Sequence, residues 1–147
     1  MTTVFDAIIR QEIAAQVVWE DAMCMAFLDD HPHTDGHTLV IPLREVARWT
    51  DLTDAESAHL FWVAKQIGRA QLQAFHADRI GLVVAGYHVD HVHVHVFPTS
   101  DASQLDFSTL PEPPLSSTLE VDGDRLRHAL RRRGFGIHVP PAPEFLP

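Results

Sequence analysis

The sequence predicts an α+β domain built on an antiparallel sheet. Three observations carry that expectation. Short apolar, β-branched runs cluster at 16–41 and again at 80–97. A single long amphipathic helix separates the two groups. No strand–helix–strand alternation of the parallel kind recurs along the chain, and no internal repeat is present.

The elements follow in order. Phe5 to Arg10 reads as a short helix, with Phe5, Ile8 and Ile9 at turn spacing. Gln16–Trp19 and Met23–Leu28 read as two strands joined by a turn at Glu20-Asp21. Asp29 to Gly36 is polar, contains Pro32 and ends in glycine, so it reads as a loop. His37–Ile41 is a third strand stopped by Pro42. Thr53-Asp54-Ala55-Glu56 has the form of a capping box and opens a helix from Asp54 to Phe75. Leu60, Val63, Ile67, Ala70 and Ala74 form its buried stripe, with His59 and Trp62 at the margin. Ile80–Ala85 is a fourth strand, Gly86–Asp90 a turn, and His91–Phe97 a fifth strand.

Beyond Pro98 the texture changes. Residues 99–118 are rich in Ser, Thr, Pro and Asp and read as a surface connection. Asp122 is the expected cap of a second helix ending at Arg133, with Gly134 as its stop. Arg131, Arg132 and Arg133 in its last turn read either as cations set against the helix dipole or as a contact for phosphate or a partner subunit. Pro140-Pro141-Ala142-Pro143 begins a proline-rich tail. The expected organisation is a domain over 1–98 and a C-terminal extension over 99–147, packed on that domain or exchanged with a second copy.

Composition narrows the function. Of 147 residues, 46% are hydrophobic and 21% charged, the balance of an ordinary globular protein. The net charge of -9 argues against a nucleic-acid binder or an anionic-membrane binder. A small anionic ligand stays possible, because backbone dipoles hold phosphates in acidic proteins. No apolar run reaches membrane-spanning length, no basic-then-apolar leader opens the chain, and Cys24 is the sole cysteine. The expected setting is the cytoplasm, with Cys24 a small buried hydrophobe.

Histidine departs from this ordinary balance. Eleven are present, with His31, His33 and His37 in one window and His91, His93 and His95 in another; His88 adjoins the second. In a strand, His91, His93 and His95 share one face at roughly 7 Å spacing, while Val92, Val94 and Val96 point into the core. Such a row suits a solvated face, a zinc site or acid–base and nucleophilic work on phosphate. Spacing does not choose among these.

The wider chain does. His-Val-His-Val-His-Val-Phe-Pro resembles the signature of the histidine triad (HIT) superfamily of nucleotide hydrolases and transferases. Phe5-x-x-Ile8-Ile9-Arg10-x-Glu12-Ile13, Val18-x-Glu20-Asp21, Phe27-Leu28-Asp29 and Gly36-His37-Thr38-Leu39-Val40-Ile41-Pro42 are similar to further family segments, covering residues 4 to 98. The resemblance implies a five-stranded antiparallel HIT fold with one long helix, paired as a homodimer whose sheets join. It implies a purine nucleotide or nucleotidyl conjugate as partner, such as a phosphoramidate or dinucleoside polyphosphate, and no cofactor or metal.

By resemblance His93 would attack the α-phosphate to give a nucleotidyl-histidine, which water hydrolyses. The His91 carbonyl would hold the other nitrogen of His93. His95 would contact phosphate oxygens, and His37 would complete the polar network behind His91. Asp29 would take the ribose hydroxyls, and Phe5, Ile8, Phe27, Leu28 and Leu39 would wall the base pocket. Where many relatives carry Gln and a Ser/Thr hydroxyl before the triad, this chain has Tyr87 and His88, so His88 is the candidate proton donor to the leaving group. The family's Asn phosphate contact and N-terminal zinc-binding cysteine pair have no counterpart, Val4 and Ala7 standing in the latter's area. The alternatives are a nucleotide-binding regulatory module with little catalysis, and a metal protein ligated by the three strand histidines.

Overall fold

The computed structural model describes residues 3–143; residues 1–2 and the end of the C-terminal extension, 144–147, lie outside it. Helix α1 (Val4–Ile9) is followed by strands β1 (Val17–Glu20), β2 (Cys24–Leu28) and β3 (Thr38–Pro42). The long helix α2 (Asp54–Ala74), strands β4 (Arg79–Val83) and β5 (Val94–Thr99), and helix α3 (Ser116–Arg132) complete the order. The five strands form one antiparallel sheet in the order β1-β2-β3-β5-β4. The α+β expectation therefore holds, and the strand boundaries read from sequence fall within a few residues of those observed.

The pleat sorts the sheet into two faces. Ala26, Val40, Val94 and Val96 pack beneath Leu60, Val63, Ile67 and Ala70 of α2, all essentially inaccessible to water. Met25, Phe27, Leu39 and Ile41 face the other way and are covered by Phe5 and Ile8 of α1. Both helices start on reciprocal capping boxes: Thr3 with Asp6, and Thr53 with Glu56. Asp21 closes the β1–β2 turn, its Oδ1 accepting the amides of Met23 and Cys24. Cys24 is buried, and desolvation pushes its thiol up to about 12, so it behaves as an unreactive hydrophobe.

Two expectations need correction. The fifth strand begins at Val94, not His91. Continuing the β3–β5 register sets Pro42 opposite Val92, and proline has no N–H to donate. The Pro42 carbonyl is taken instead by His91 Nε2 at 2.7 Å, so the chain there runs unladdered, held by Val92 N–H to Val46 O. The alternation nevertheless persists, because Val92 stays in the same core as Val94 and Val96.

The last helix starts at Ser116, six residues before Asp122, with Leu115 at its cap and no side-chain capping bond. Asp122 is instead buried within the helix, where burial and Asp35 lift its carboxyl to about 6. Leu126 and Leu130 of α3 are fully buried in the main core, with Leu119 packed against it. That apolar stripe supplies the helix stability that local propensity lacks.

Arg127 fastens this helix to the sheet. It is 1% exposed; its Nη2 donates to Gln16 Oε1 at 2.8 Å, its Nε to Val17 O at 3.0 Å, and its Nη1 to Asp124 at 2.9 Å. Gly123 permits the approach, since a Cβ there would collide with the Gln16 side chain. Replacing Arg127 with Met leaves Gln16 Oε1 and the Val17 carbonyl without their donors, each worth about 1–3 kcal/mol. Urea denaturation of R127M is expected to give a loss of roughly 2–4 kcal/mol; an unchanged midpoint would count against this account.

Candidate active site

A cavity of about 730 Å³ opens on the α1 face of the sheet. Phe5 and Ile8 from α1, Phe27 and Leu28 from the end of β2, and Leu39 from β3 form its apolar wall. Asp29, His88, His93 and His95 supply its polar side. His91 and His37 do not line it. Both are buried behind it, at 0% and 1% exposure, so the three alternating imidazoles do not form one open row.

Proton positions follow from the hydrogen bonds. The Nδ1 of His93 lies 2.8 Å from the His91 carbonyl, which can only accept. Nδ1 therefore carries the proton, and Nε2 keeps its lone pair. His91 Nε2 likewise donates to the Pro42 carbonyl, leaving its buried Nδ1 unpaired, 3.9 Å from Asp6.

The second chain of bonds starts at a backbone amide. The N–H of His33 donates to His37 Nδ1 at 3.0 Å. The neutral His37 ring then carries its proton on Nε2, which meets His95 Nδ1 at 3.0 Å. His95 Nδ1 accepts, so its Nε2 bears a proton. Two neighbouring rings in one cavity thus present opposite chemistry: His93 a lone pair, His95 a donor. The His37 network supports His95; it does not lie behind His91, as the resemblance had suggested.

Burial holds these rings neutral. It lowers His37 to about 2 and His95 to about 3, with neighbouring histidines adding to both, and it lowers His93 against the opposing effect of the His91 carbonyl. Asp29 Oδ1 accepts the His31 amide at 2.8 Å, a turn-closing bond, while Oδ2 lies 3.6 Å from His37 and 3.9 Å from His95. Since both rings are neutral, these contacts are not ion pairs. Burial raises the Asp29 carboxyl.

Two groups of three potential ligands among the described residues bring their donor atoms within 4.8 Å: Asp21, Cys24 and His59, and Asp29, His37 and His95. Neither contains His91 or His93, so the strand histidines do not converge as a metal triad. Asp21 is fully engaged, with Oδ2 taken by Trp19 Nε1 and His59 Nε2. In the second group the His33 amide directs the His37 proton onto the nitrogen that would have to ligate.

The loop holding His37 depends on Gly36, at φ +87°, where a Cβ would run into the Phe75 ring. Buried Gln71 of α2 bonds both the Gly36 carbonyl, at 2.9 Å, and the Val96 carbonyl, at 2.8 Å, tying this loop to β5. The three arginines at the end of α3 are not among the cavity residues. Sequence reasoning missed Phe107, which meets His95 edge-on at 4.9 Å between ring centres. Its signal was a lone aromatic in an otherwise polar stretch.

The HIT domain family model matches residues 10–102. The chain belongs to the HIT family. An uncharacterized HIT-like protein of Methanocaldococcus jannaschii is 34% identical over 128 residues, covering 82% of this chain and 98% of that one. The bis(5'-nucleosyl)-tetraphosphatase (asymmetrical) of Schizosaccharomyces pombe is 38% identical over 101 residues, 65% of this chain and 54% of the relative. Among HIT structures, a zinc-bound histidine triad protein from Mycobacterium smegmatis superposes with a TM-score of 0.78 at 31% identity, covering 92% of this chain and 98% of that one. The family model ends before Phe107 and α3, whereas the Mycobacterium smegmatis match covers 92% of this chain and so extends into its C-terminal part.

The buried neutral histidines make stability pH-dependent. Unfolded, each ring takes up a proton near pH 6.5; folded, His37 and His95 do so only at about 2 and 3. Below pH 6.5 the unfolded chain binds protons that the native state refuses, so stability is full above that pH and falls as pH drops towards about 3. Thermal midpoints are expected to decline between pH 7 and pH 5. The decline should be smaller in His37→Gln, whose amide does not titrate; an identical decline in both proteins would contradict it.

Proposed function

We propose that this HIT protein is a nucleotide hydrolase or nucleotidyl transferase that cleaves at the α-phosphate through His93. One observation carries the reading: His93 donates its Nδ1 proton to the His91 carbonyl, which frees the Nε2 lone pair beside a cavity that also holds a neutral proton donor. His93 Nε2 bonds to phosphorus while the bond to the leaving atom breaks, its electron pair staying on that atom. We assign the proton that the leaving atom takes up to His88, which is exposed on the cavity wall. The His95 Nε2–H bonds a non-bridging oxygen and stabilises the charge that builds there. Water then adds to phosphorus, displaces His93, loses its proton to solvent and releases the nucleoside monophosphate.

The apolar wall of Phe5, Ile8, Phe27, Leu28 and Leu39 suits a purine base, and Asp29 suits the ribose hydroxyls. The similarity to a nucleosyl-tetraphosphatase supports nucleotide chemistry of this general kind. We further propose a homodimer joined through β4. That strand is a sheet edge with Leu82 48% exposed, whereas β1, at the opposite edge, is held by α3 through Arg127.

Mass spectrometry after brief exposure to an adenosine phosphoramidate is expected to detect an adenylyl adduct on His93. His93→Ala should lose both the adduct and at least about 10³-fold in kcat. Tight nucleotide binding with no adduct and no turnover would identify a binding module instead. Light scattering should return a dimer mass for the wild-type chain and a monomer for Leu82→Lys; a wild-type monomer would remove the dimer.

A further inference from the structure

We propose that Gln16 and Asp30 read the base at the β1 end of the cavity and make guanine the preferred one, with Arg127 of α3 fixing the donor that Gln16 presents. The inference rests on the cavity beside His93 being the nucleotide site, and concerns which nucleoside enters.

Position comes first. His95, Leu39 and Phe27 stand opposite one another on β5, β3 and β2, and Val17 on β1 completes the row. Neighbouring strands are about 4.8 Å apart, so β1 lies roughly 14 Å from the strand of His95. A nucleotide with its phosphate at His93 and His95 and its base on Leu39 and Phe27 therefore turns the outer edge of that base towards β1. Gln16 stands just before β1, Asp30 follows Asp29, and both line the cavity. The Leu28 amide donates to the Gln16 carbonyl at 3.1 Å, which sets Gln16 opposite Leu28. The extended chain continues through Asp29, whose amide donates to the His37 carbonyl. Asp30 thus falls on the face of Leu28, as a diagonal neighbour of Gln16.

The amide of Gln16 has a fixed sense. Its Oε1 accepts from Arg127 Nη2 at 2.8 Å. Arginine only donates, so the atom facing it must be the oxygen, and Nε2 takes the other branch. Packing holds the group there: Gln16 is 7% exposed, and it lies so close to α3 that a Cβ on Gly123 would fall 2.7 Å from Oε1. Among the described residues Nε2 has no acceptor, yet it is not sealed from solvent. It is a preset donor that still lacks its partner. The Asp30 carboxylate is its complement, exposed and, among the described residues, without a hydrogen bond or an ion pair. Ser116, from the first turn of α3, also lines this end, but its hydroxyl donates or accepts and so does not discriminate.

One fixed donor beside a carboxylate matches guanine. The outer edge of that base carries an acceptor, O6, next to two donors, N1–H and N2–H. Gln16 Nε2 donates to O6, while the two carboxylate oxygens of Asp30 accept N1–H and N2–H in a charge-assisted pair of bonds. Adenine in the same pose sets its 6-amino donor against the donor of Gln16. Shifted to put its N1 acceptor there, it satisfies only one oxygen of Asp30. Hypoxanthine keeps O6 and N1–H but lacks the 2-amino group, so it falls between the two.

Guanosine, inosine and adenosine monophosphates carry no leaving group, so calorimetry on the wild-type protein measures their binding directly. Guanosine monophosphate is expected to bind tightest, with a Kd at least about tenfold below that of adenosine monophosphate. Asp30→Asn, at an exposed position, should raise the guanosine Kd by about tenfold and the inosine Kd by less. Gln16→Glu keeps an acceptor for Arg127 and turns the donor into a second acceptor. The ratio of guanosine to adenosine Kd should then rise by at least about tenfold, since the added charge weakens both monophosphates alike and cancels in the ratio. Asp30→Asn decides alone if Gln16→Glu does not fold. Equal wild-type affinities, or tighter binding of adenosine monophosphate, would overturn the inference. A ratio left at its wild-type value in both variants would also overturn it. In either case a nucleotidyl adduct on His93 would leave the nucleophile intact. If none of the three monophosphates binds, the cavity is not the nucleotide site, and this inference fails together with that reading.

Discussion

The site depends on where three valines go. Val92, Val94 and Val96 are buried under α2, each at 2% exposure or less. Removing one from that core would cost both transfer energy and a cavity, so the register of this segment is strongly fixed. Because successive side chains alternate, sinking the valines turns His91, His93 and His95 to the opposite face. The apolar layer thus determines which way the imidazoles point, even where the hydrogen-bond ladder has lapsed at Pro42.

Backbone groups then determine what each imidazole can do. The carbonyl of His91 can only accept and the amide of His33 can only donate, so one makes His93 a lone-pair donor and the other, relayed through His37, makes His95 a proton donor. Neither assignment needs a charged side chain. Burial keeps the rings neutral, which preserves the lone pair on His93 Nε2 and limits the charge that the cavity itself contributes. Gln71 links both halves of this arrangement, bonding the loop of His37 and the strand of His95 from a single buried amide.

Beyond residue 102, the C-terminal segments hold in two different ways. Helix α3 is attached by Leu126, Leu130 and the buried Arg127, a packed and fully bonded junction. The segment before it is attached by ring stacking on His33 and by contact with the Asp29 loop. The first is a structural buttress for β1. The second reaches the cavity, which makes it the part of the extension able to influence chemistry.

Local patterns were enough to determine much of this protein. The Thr53–Glu56 capping box, the stripe on α2 and the valine alternation all rest on contacts within a few residues or on a single period, and each is read directly from the chain. Residue types at the cavity were legible for the same reason: Phe5, Asp29, His93 and His95 sit on segments whose direction is set locally. Tertiary structure alone decided the rest. Helix α3 begins at Ser116 because α2 offers it a surface, not because Ser-Ser-Thr favours a helix. Asp122 looked like a cap and became a buried acid once that helix docked. His37 serves His95 because Gly36, Gln71 and Phe75 fold its loop there, and Phe107 reaches His95 only after the chain has doubled back. The histidine pattern picked out the rings that meet at the cavity, but their proton assignments depend on carbonyls and amides that only the fold brings beside them.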